Sequence, residues 1–332
     1  MTETLFLTSD DVSGLATPAD YVDRVADGYR QRGDGAPADP RTALFADDPT
    51  GMLTSYTAIL PEDGYMGGYT YSAGFGAGDA WFMTPLFDAD SGEPLALLNG
   101  ASMNPFKTGA TGAVGVDMLA RENATRVGVI GSGAQARGQL RATATVRELT
   151  AVEVYSPTAA NREAFAEEMT ETLGVDVTAV ESSTAAVADA DIVITATSAS
   201  DPVFDGDQLA PGTHVTAMGQ YNPNKRELDT TTIERSTYVP DLRDRATQDA
   251  GSFLHAIDAG VIDESHIHAE LGDIVADNAV GRTSDEEITV FDSGGTAIET
   301  VAAAGMLYES ARGQGPGSTI EFAPASNALT GR

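Results

Sequence analysis

The run Gly131-Ser132-Gly133-Ala134-Gln135-Ala136 carries the plainest chemistry in the chain. It fits the pattern G-x-G-x-x-[G/A] and directly follows the apolar stretch Val127–Ile130. A buried strand that breaks into a glycine turn and then opens a helix aims backbone N–H groups at a pyrophosphate with no Cβ in the way. Gly131, Ser132, Gly133, Ala134 and Gln135 are therefore candidate cofactor contacts, and Ala136 is the small third residue that lets helix and strand pack closely. The bland alternative is an ordinary strand–turn–helix.

The residue ending the next strand decides how the adenosine ribose is read. Here Val154-Tyr155-Ser156-Pro157-Thr158 has no acid, and Asn161-Arg162 follow. The hydroxyls of Ser156 and Thr158 with the guanidinium of Arg162 suit a 2′-phosphate, which favours NADP(H) over NAD(H). Two simpler roles compete: Ser156-Pro157-Thr158 as a helix cap, and Arg162 as a solvated residue on a helix surface. Thr195, Thr197 and Ser198 end the fourth strand of the series, where such folds place cofactor contacts at carboxyl ends. His266 and His268 have a metal-like spacing without a third or fourth ligand, so no metal is expected. His214 opens a strand and reads as a hydrogen-bonded structural residue, and Lys225 as a loop-closing one.

These residues need a scaffold. From about 125 onward, strand candidates Val127–Ile130, Ala151–Tyr155, Val175–Val180, Ile192–Thr197, His214–Gly219 and Tyr238–Asp241 alternate with helices Ala134–Val146, Ala159–Leu173 and Thr184–Ala190. That order predicts an α/β fold with a Rossmann-like, doubly wound parallel sheet. Ile288–Ser293 reads as a further strand, Ala297–Gln314 as a helix and Ser318–Phe322 as a last strand. Before residue 125, Ser9-Asp10-Asp11 and Thr17-Pro18-Ala19-Asp20 read as helix caps, the second opening a helix over about 21–32. Short strands follow near Thr54–Leu60, Tyr65–Ser72, Ala80–Asp88 and Pro94–Leu98, then a helix over Asn104–Leu119.

Composition narrows the partners. Against 50 acidic residues stand 19 lysines and arginines, a formal charge of −31 over 332 residues. Nucleic acid and anionic membrane surfaces demand the opposite sign. Abundant carboxylates with only Lys107 and Lys225 as lysines point to a surface adapted to molar salt, where self-repulsion is screened. No cysteine is present, which excludes thiolate chemistry. The sequence has neither a long apolar span nor the basic and apolar regions of a signal peptide, so a cytoplasmic protein is expected.

Several segments together resemble the ornithine cyclodeaminase/mu-crystallin family, which includes archaeal-type alanine dehydrogenases and ketimine reductases. They are FDADSGEPLALLNG (87–100), FKTGATGAVGVDMLA (106–120), GVIGSGAQAR (128–137), PGTHVTAMGQYNPNKRELD (211–229) and AELGDIVADNAVGRTSDEEITVFDSGGTAIE (269–299). The resemblance implies a nucleotide-binding domain and a smaller α+β domain, built from both chain ends, that binds substrate and forms a homodimer. The corresponding boundaries are 1–118 with 315–332 for the substrate-binding and dimerisation domain, and 119–314 for the NAD(P)-binding domain. It implies hydride transfer at the C–N carbon of an amino or imino acid. The alternatives are deamination with recycled NAD, and a non-catalytic NADP(H)-binding protein.

By the same resemblance, Lys107 stands where the family places a cation, usually arginine, that grips the substrate carboxylate, and Arg41 where it has a second one. Lysine is a point charge, so it orients a carboxylate less strictly than an arginine fork. Gly219 and Ser293 match segments that approach the cofactor, while Glu299 reads as structural. Two positions depart from the pattern: Tyr69 stands for a lysine and Tyr221 for an aspartate. A tyrosine titrates at about 10 in water, so it is a proton donor and a poor base near neutrality. Tyr69 and Tyr221 are the catalytic candidates, Tyr221 the better acid, and the exchange argues against simple ornithine cyclodeamination. The bland reading is that both tyrosines fill an adapted pocket.

Overall fold

Chain contacts in the computed structural model, which describes residues 2–76, 79–218 and 221–330, divide the protein into two units. One comprises Met1–Lys107 with Thr296–Arg332, the other Thr108–Gly295. The first begins with β1 (Thr2–Leu7), α1 (Ser9–Val12) and α2 (Pro18–Gly33). Then come β2 (Thr42–Asp47), β3 (Thr50–Leu60), β4 (Tyr65–Gly74), β5 (Ala80–Asp88) and β6 (Pro94–Asn99). Helix α3 (Asn104–Leu119) starts in this unit and runs into the second.

Thr17 and Asp20 form a capping box at the start of α2, where Pro18 needs no hydrogen bond. At α1 the cap is Thr8, paired with Asp11, one residue before the expected Ser9. Along β3, Thr54, Tyr56, Ala58 and Leu60 are buried while Leu53, Thr57 and Ile59 are exposed, the alternation of a sheet covered on one face.

The second unit holds β7 (Arg126–Ile130), α4 (Ala134–Val146), β8 (Ala151–Tyr155), α5 (Ala159–Leu173), β9 (Val177–Ala179), α6 (Ser183–Val187) and β10 (Ile192–Thr195). It continues through β11 (His214–Met218), α7 (Thr230–Glu234), β12 (Ser236–Pro240), α8 (Arg243–Asp249), α9 (Gly251–Asp258), α10 (Leu271–Val275) and β13 (Ile288–Ser293). Its strands are all parallel, in the order β12-β13-β11-β10-β7-β8-β9. The chain winds one way from β7 through β8 to β9 and then crosses to β10 on the other side of β7. That reversal makes the carboxyl ends of β7 and β10 a switch-point crevice. Gly128 lets α6 come close, since a Cβ there would sit 2.1 Å from the Ala186 carbonyl oxygen.

Chain then returns to the first unit as α11 (Ala297–Gln314), β14 (Ser318–Phe322) and α12 (Ala325–Thr330). The first sheet is thereby ordered β14-β1-β6-β5-β4-β3-β2. Helix α11 packs against α2, β3 and β4, and its small residues Ala302, Ala303 and Ala304 are fully buried. This packing assigns α11 to the first unit, whereas 315 was the boundary expected from sequence. Most of α3 goes to the second unit because it lies on α4: a Cβ on Gly109 would meet the Gly138 carbonyl oxygen at 2.3 Å. The boundaries therefore fall at 107/108 and 295/296 instead of 118/119 and 314/315.

Candidate active site

In the first unit, strand register builds an aromatic wall. Tyr56 of β3 lies opposite Tyr69 of β4, and Tyr71 of β4 opposite Phe82 of β5. The Tyr69 ring stacks on Phe82 with centroids 5.1 Å apart, and lies 5.6 Å from Tyr56 and 5.8 Å from Tyr71. Its hydroxyl donates to the Gly100 carbonyl at 3.5 Å, and burial pushes its acidity down, so it stays protonated. The expected catalytic Tyr69 is thus a buried wall residue.

Both expected carboxylate-binding cations reach this wall. Lys107, in the first turn of α3, puts Nζ 4.8 Å from the Tyr69 ring centroid and 3.4 Å from Glu299 Oε1. Arg41, just before β2, donates from Nη1 to the Tyr71 hydroxyl at 3.4 Å, and its guanidinium lies 5.6 Å from the Tyr56 ring centroid. Burial lowers the Lys107 pKa, Glu299 opposes the shift, and Arg41 adds to it.

Glu299 is more than the structural residue expected. It closes the capping box of α11, accepting from the Thr296 N–H at 2.8 Å and from the Thr296 hydroxyl, and it takes the Tyr29 hydroxyl at 3.4 Å. The helix beginning at Ala297 was legible in the sequence; the capping box of Thr296 and Glu299, and the use of Glu299 as a buried partner for Lys107, were not.

In the second unit the glycine turn has the geometry a pyrophosphate requires. Gly131 has φ +119°, and a Cβ there would lie 2.3 Å from the Ala196 carbonyl oxygen, so only glycine fits. Gly133 opens α4 without a side-chain cap and has open space where a Cβ would be. No acid occupies the first turn of α4, in a chain of net charge −31. Gln135 Oε1 and Ser293 Oγ, both on expected cofactor residues, are buried with no hydrogen-bond partner. Uncapped helix amides, room for close approach and orphaned polar atoms fit a dinucleotide.

The remaining expected cofactor residues divide. Thr195 donates its hydroxyl to Glu227 Oε2 at 2.8 Å, and the Thr197 N–H donates to Glu227 Oε1 at 2.6 Å. Ser198 is exposed beside them. Sequence reasoning missed Glu227; burial pushes its pKa up to about 7 against the pull of the hydrogen bonds from Thr197 and Thr195. The Ser132 hydroxyl donates to Ser156 Oγ at 2.9 Å, tying the glycine turn to the end of β8. Thr158 is the N-cap residue of α5 but makes no side-chain cap. Arg162 is neither solvated nor open to a phosphate: its buried guanidinium donates to the Ser156 carbonyl at 3.2 Å and pairs with Glu181 at 2.8 Å. Tyr221 is 45% exposed, and Gly219 lies outside the described residues.

A profile of the ornithine cyclodeaminase/mu-crystallin family matches residues 2–315. The chain belongs to that family. It is 39% identical over 238 residues to a Delta(1)-pyrroline-2-carboxylate reductase of Bacillus cereus, covering 71% of this chain and 73% of that one. The structure of Thermococcus litoralis Delta(1)-pyrroline-2-carboxylate reductase in complex with NADH and L-proline superposes with a TM-score of 0.91 at 33% identity, covering 96% of this chain and all (100%) of that one. An archaeal alanine dehydrogenase dimer with bound NAD gives 0.90 at 30% identity, covering 97% and 100%.

Within this ornithine cyclodeaminase/mu-crystallin fold, Ser293-Gly294-Gly295 is held by a buried ionic cluster that sequence reading did not find. Arg245, fully buried, donates to Asp241 Oδ1 and to Asp292 Oδ1, each at 2.8 Å. Asp241 Oδ2 accepts the N–H groups of Gly294 and Gly295 at 2.8 and 2.9 Å. A Cβ on Gly294 would strike the Arg245 side chain at 2.7 Å. Asp241 and Arg245 sit four apart across the start of α8, a spacing that carried the signal.

His214, His266 and His268 have structural partners. His214 is buried between the hydroxyls of Thr289 and Thr216, and burial drives its pKa down to about 3. The Nε2 atoms of His266 and His268 lie 2.7 Å from the backbone carbonyls of Ile233 and Val280. Among the described residues no helix is long and apolar enough to cross a membrane.

Proposed function

We propose that this protein is an NAD(P)(H)-dependent oxidoreductase that reduces the C=N bond of a small imino acid, a cyclic one such as Delta(1)-pyrroline-2-carboxylate first among them. The observation carrying this reading is the placement of Arg41 and Lys107 together in the aromatic wall of the first unit. Two buried cations amid rings suit a compact carboxylate with an apolar body. The bound nicotinamide cofactor supplies or accepts the hydride. The chain's part is to hold the carboxylate with Arg41 and Lys107, exclude water with Tyr56, Tyr69 and Phe82, and deliver a proton to the imine nitrogen from Tyr221. Cofactor contacts come from Gly131, Ser132, Gly133, Ala134 and Gln135, from Ser156 and Thr158, from Thr195, Thr197 and Ser198, and from Gly219 and Ser293.

Deamination of ornithine is the weaker reading. It calls for a carboxylate to receive an ammonium group, and Glu299 is engaged by Thr296, Tyr29 and Lys107.

The protein acts as a homodimer in concentrated salt. Leu44, Leu53 and Trp81 lie in one cross-strand row on the outer face of the first sheet and are 67%, 47% and 69% exposed. Ser72 of β4 separates Leu53 from Trp81 in that row, and so many large apolar side chains exposed on one sheet face call for a partner surface, which a second copy of the chain supplies. The dimeric archaeal relative supports this.

Oxidation of NADH or NADPH at molar KCl with Delta(1)-pyrroline-2-carboxylate, and with pyruvate plus ammonium, tests the reading. Turnover with the cyclic imine is expected. Ammonia release from ornithine without net cofactor oxidation would replace it with cyclodeamination, and tight cofactor binding without turnover on any substrate would replace it with a binding role.

A further inference from the structure

The strand that normally supplies an acid to the adenosine ribose is followed here by Ser156, but the segment just past the neighbouring strand supplies one, Glu181. β8 and β9 are parallel with Val154 opposite Ala179, and the Val180 N–H donates to the Val154 carbonyl at 2.9 Å. Two residues further on, Ser156 and Glu181 come level just past the carboxyl ends. Arg162 bridges them, with Nη1 on the Ser156 carbonyl at 3.2 Å and Nη2 on Glu181 Oε2 at 2.8 Å. The Glu181 side chain is 89% exposed, so its carboxylate faces solvent while the guanidinium beneath it is buried.

We propose that Glu181 is the cofactor-selecting residue, and that it makes the protein prefer a dinucleotide with a free ribose 2′-hydroxyl, NAD(H), over the 2′-phosphorylated form. The inference rests on the dinucleotide reading of the glycine turn. An ionised carboxylate accepts hydrogen bonds from a hydroxyl and repels a phosphate. Glu181 also neutralises Arg162, the cation that would otherwise attract the phosphate. Of the two hydroxyls that suggested a phosphate site, that of Ser156 is engaged as well: Ser156 Oγ receives the Ser132 hydroxyl at 2.9 Å and donates to the Thr158 carbonyl at 3.5 Å. Burying Arg162 under Glu181 thus converts an arginine that reads as a phosphate ligand into a support for the opposite preference.

Direct binding tests this without a substrate. Dissociation constants for NADH and NADPH are measured by nucleotide fluorescence at molar KCl, for the wild type and for Glu181→Gln. The wild type binds NADH at least about tenfold more tightly, the size of one charge-assisted contact, and Glu181→Gln closes most of that gap chiefly by gaining NADPH affinity. Because the side chain is exposed, the variant's melting temperature stays close to wild type. An unchanged NADH/NADPH ratio in Glu181→Gln, or a wild type that prefers NADPH and loses it in Arg162→Gln, overturns the proposal. Failure of the wild type to bind either nucleotide is a separate result that removes the dinucleotide reading and this proposal with it.

Discussion

Lys107 Nζ and Glu299 Oε1 lie 3.4 Å apart with side chains only 2% and 1% exposed, joining the first turn of α3 to the first turn of α11. Taking two charges out of water costs several kcal/mol per ion, and the attraction between them repays that only when the remaining hydrogen bonds are well made. Glu299 is fixed by its own helix cap, so it acts as an anchor that aims the ammonium along the Tyr69 ring. A pair of this kind is weak evidence for stability and better evidence for a positioned charge.

Lys107→Met should therefore cut kcat/KM for the imino acid by about a hundredfold, the worth of one charged hydrogen bond, while the NADH dissociation constant stays within a factor of about two. Burial lowers the Lys107 pKa, so in the wild type the charge is lost as pH rises through a value below that of free lysine, and kcat/KM falls along that alkaline limb. Lys107→Arg should keep substrate binding and move the limb upward. A Lys107→Met enzyme with wild-type kcat/KM would remove Lys107 from the clamp.

Local signals were the legible ones. The strand–glycine–helix unit at 126–146, the capping box at Thr17 and the last strand, Ser318–Phe322, are written in consecutive residues, and their elements fall where periodicity and turn chemistry place them. β1 was not recognised, because its partners β6 and β14 are remote in sequence and nothing beside Thr2–Leu7 announces them. The same holds for the site. Arg41 and Lys107 were found by resemblance, but Glu227, the Asp241–Arg245–Asp292 cluster and the level placement of Glu181 with Ser156 depend on which strands lie side by side. Arg162 shows the limit most plainly: its residue type suggested a phosphate ligand, and only the register of β8 and β9 revealed its partner.

Arg245 supplies the positive charge to a buried site with Asp241 and Asp292, while burial raises the Asp292 pKa against the pull of the arginine. Removing one member of such a cluster leaves uncompensated charge, at a cost of about 3–5 kcal/mol. Arg245→Met should lower the melting temperature sharply at neutral pH. A double variant, Arg245→Met with Asp292→Asn, should recover part of the loss, because it also removes a buried carboxylate. Equal destabilisation in both variants would show that the charges are not coupled.

The exposed apolar side chains of Leu44, Leu53 and Trp81 give the dimer its test. Trp81→Glu puts a charge into a surface that loses water on association, so light scattering after size exclusion at molar KCl should show a shift from dimer towards monomer. Far-ultraviolet circular dichroism should be unchanged, since Trp81 is 69% exposed in the single chain. A dimer that persists at the lowest measurable concentration would place the interface elsewhere.

Glu227 gives a pH dependence opposite to that of most carboxylates. Burial raises its pKa from 4.5 to about 7, so between these values the folded protein holds a proton that the unfolded chain has released. The folded state therefore binds more protons, and the contribution of this group to stability falls as pH rises through that window. Above about pH 8 the buried carboxylate is ionised and the loss, about 3 kcal/mol at most, is complete. Molar salt does not relieve it, because ions screen exposed charges and not one sealed behind Thr195 and Thr197. Glu227→Gln keeps an acceptor for the Thr197 N–H and has no proton to lose. The melting temperature of Glu227→Gln relative to wild type should therefore rise between pH 5 and pH 8, roughly the interval over which wild-type Glu227 ionises. A difference that stays constant over that range would mean Glu227 is ionised throughout, held so by the hydrogen bonds from Thr195 and Thr197.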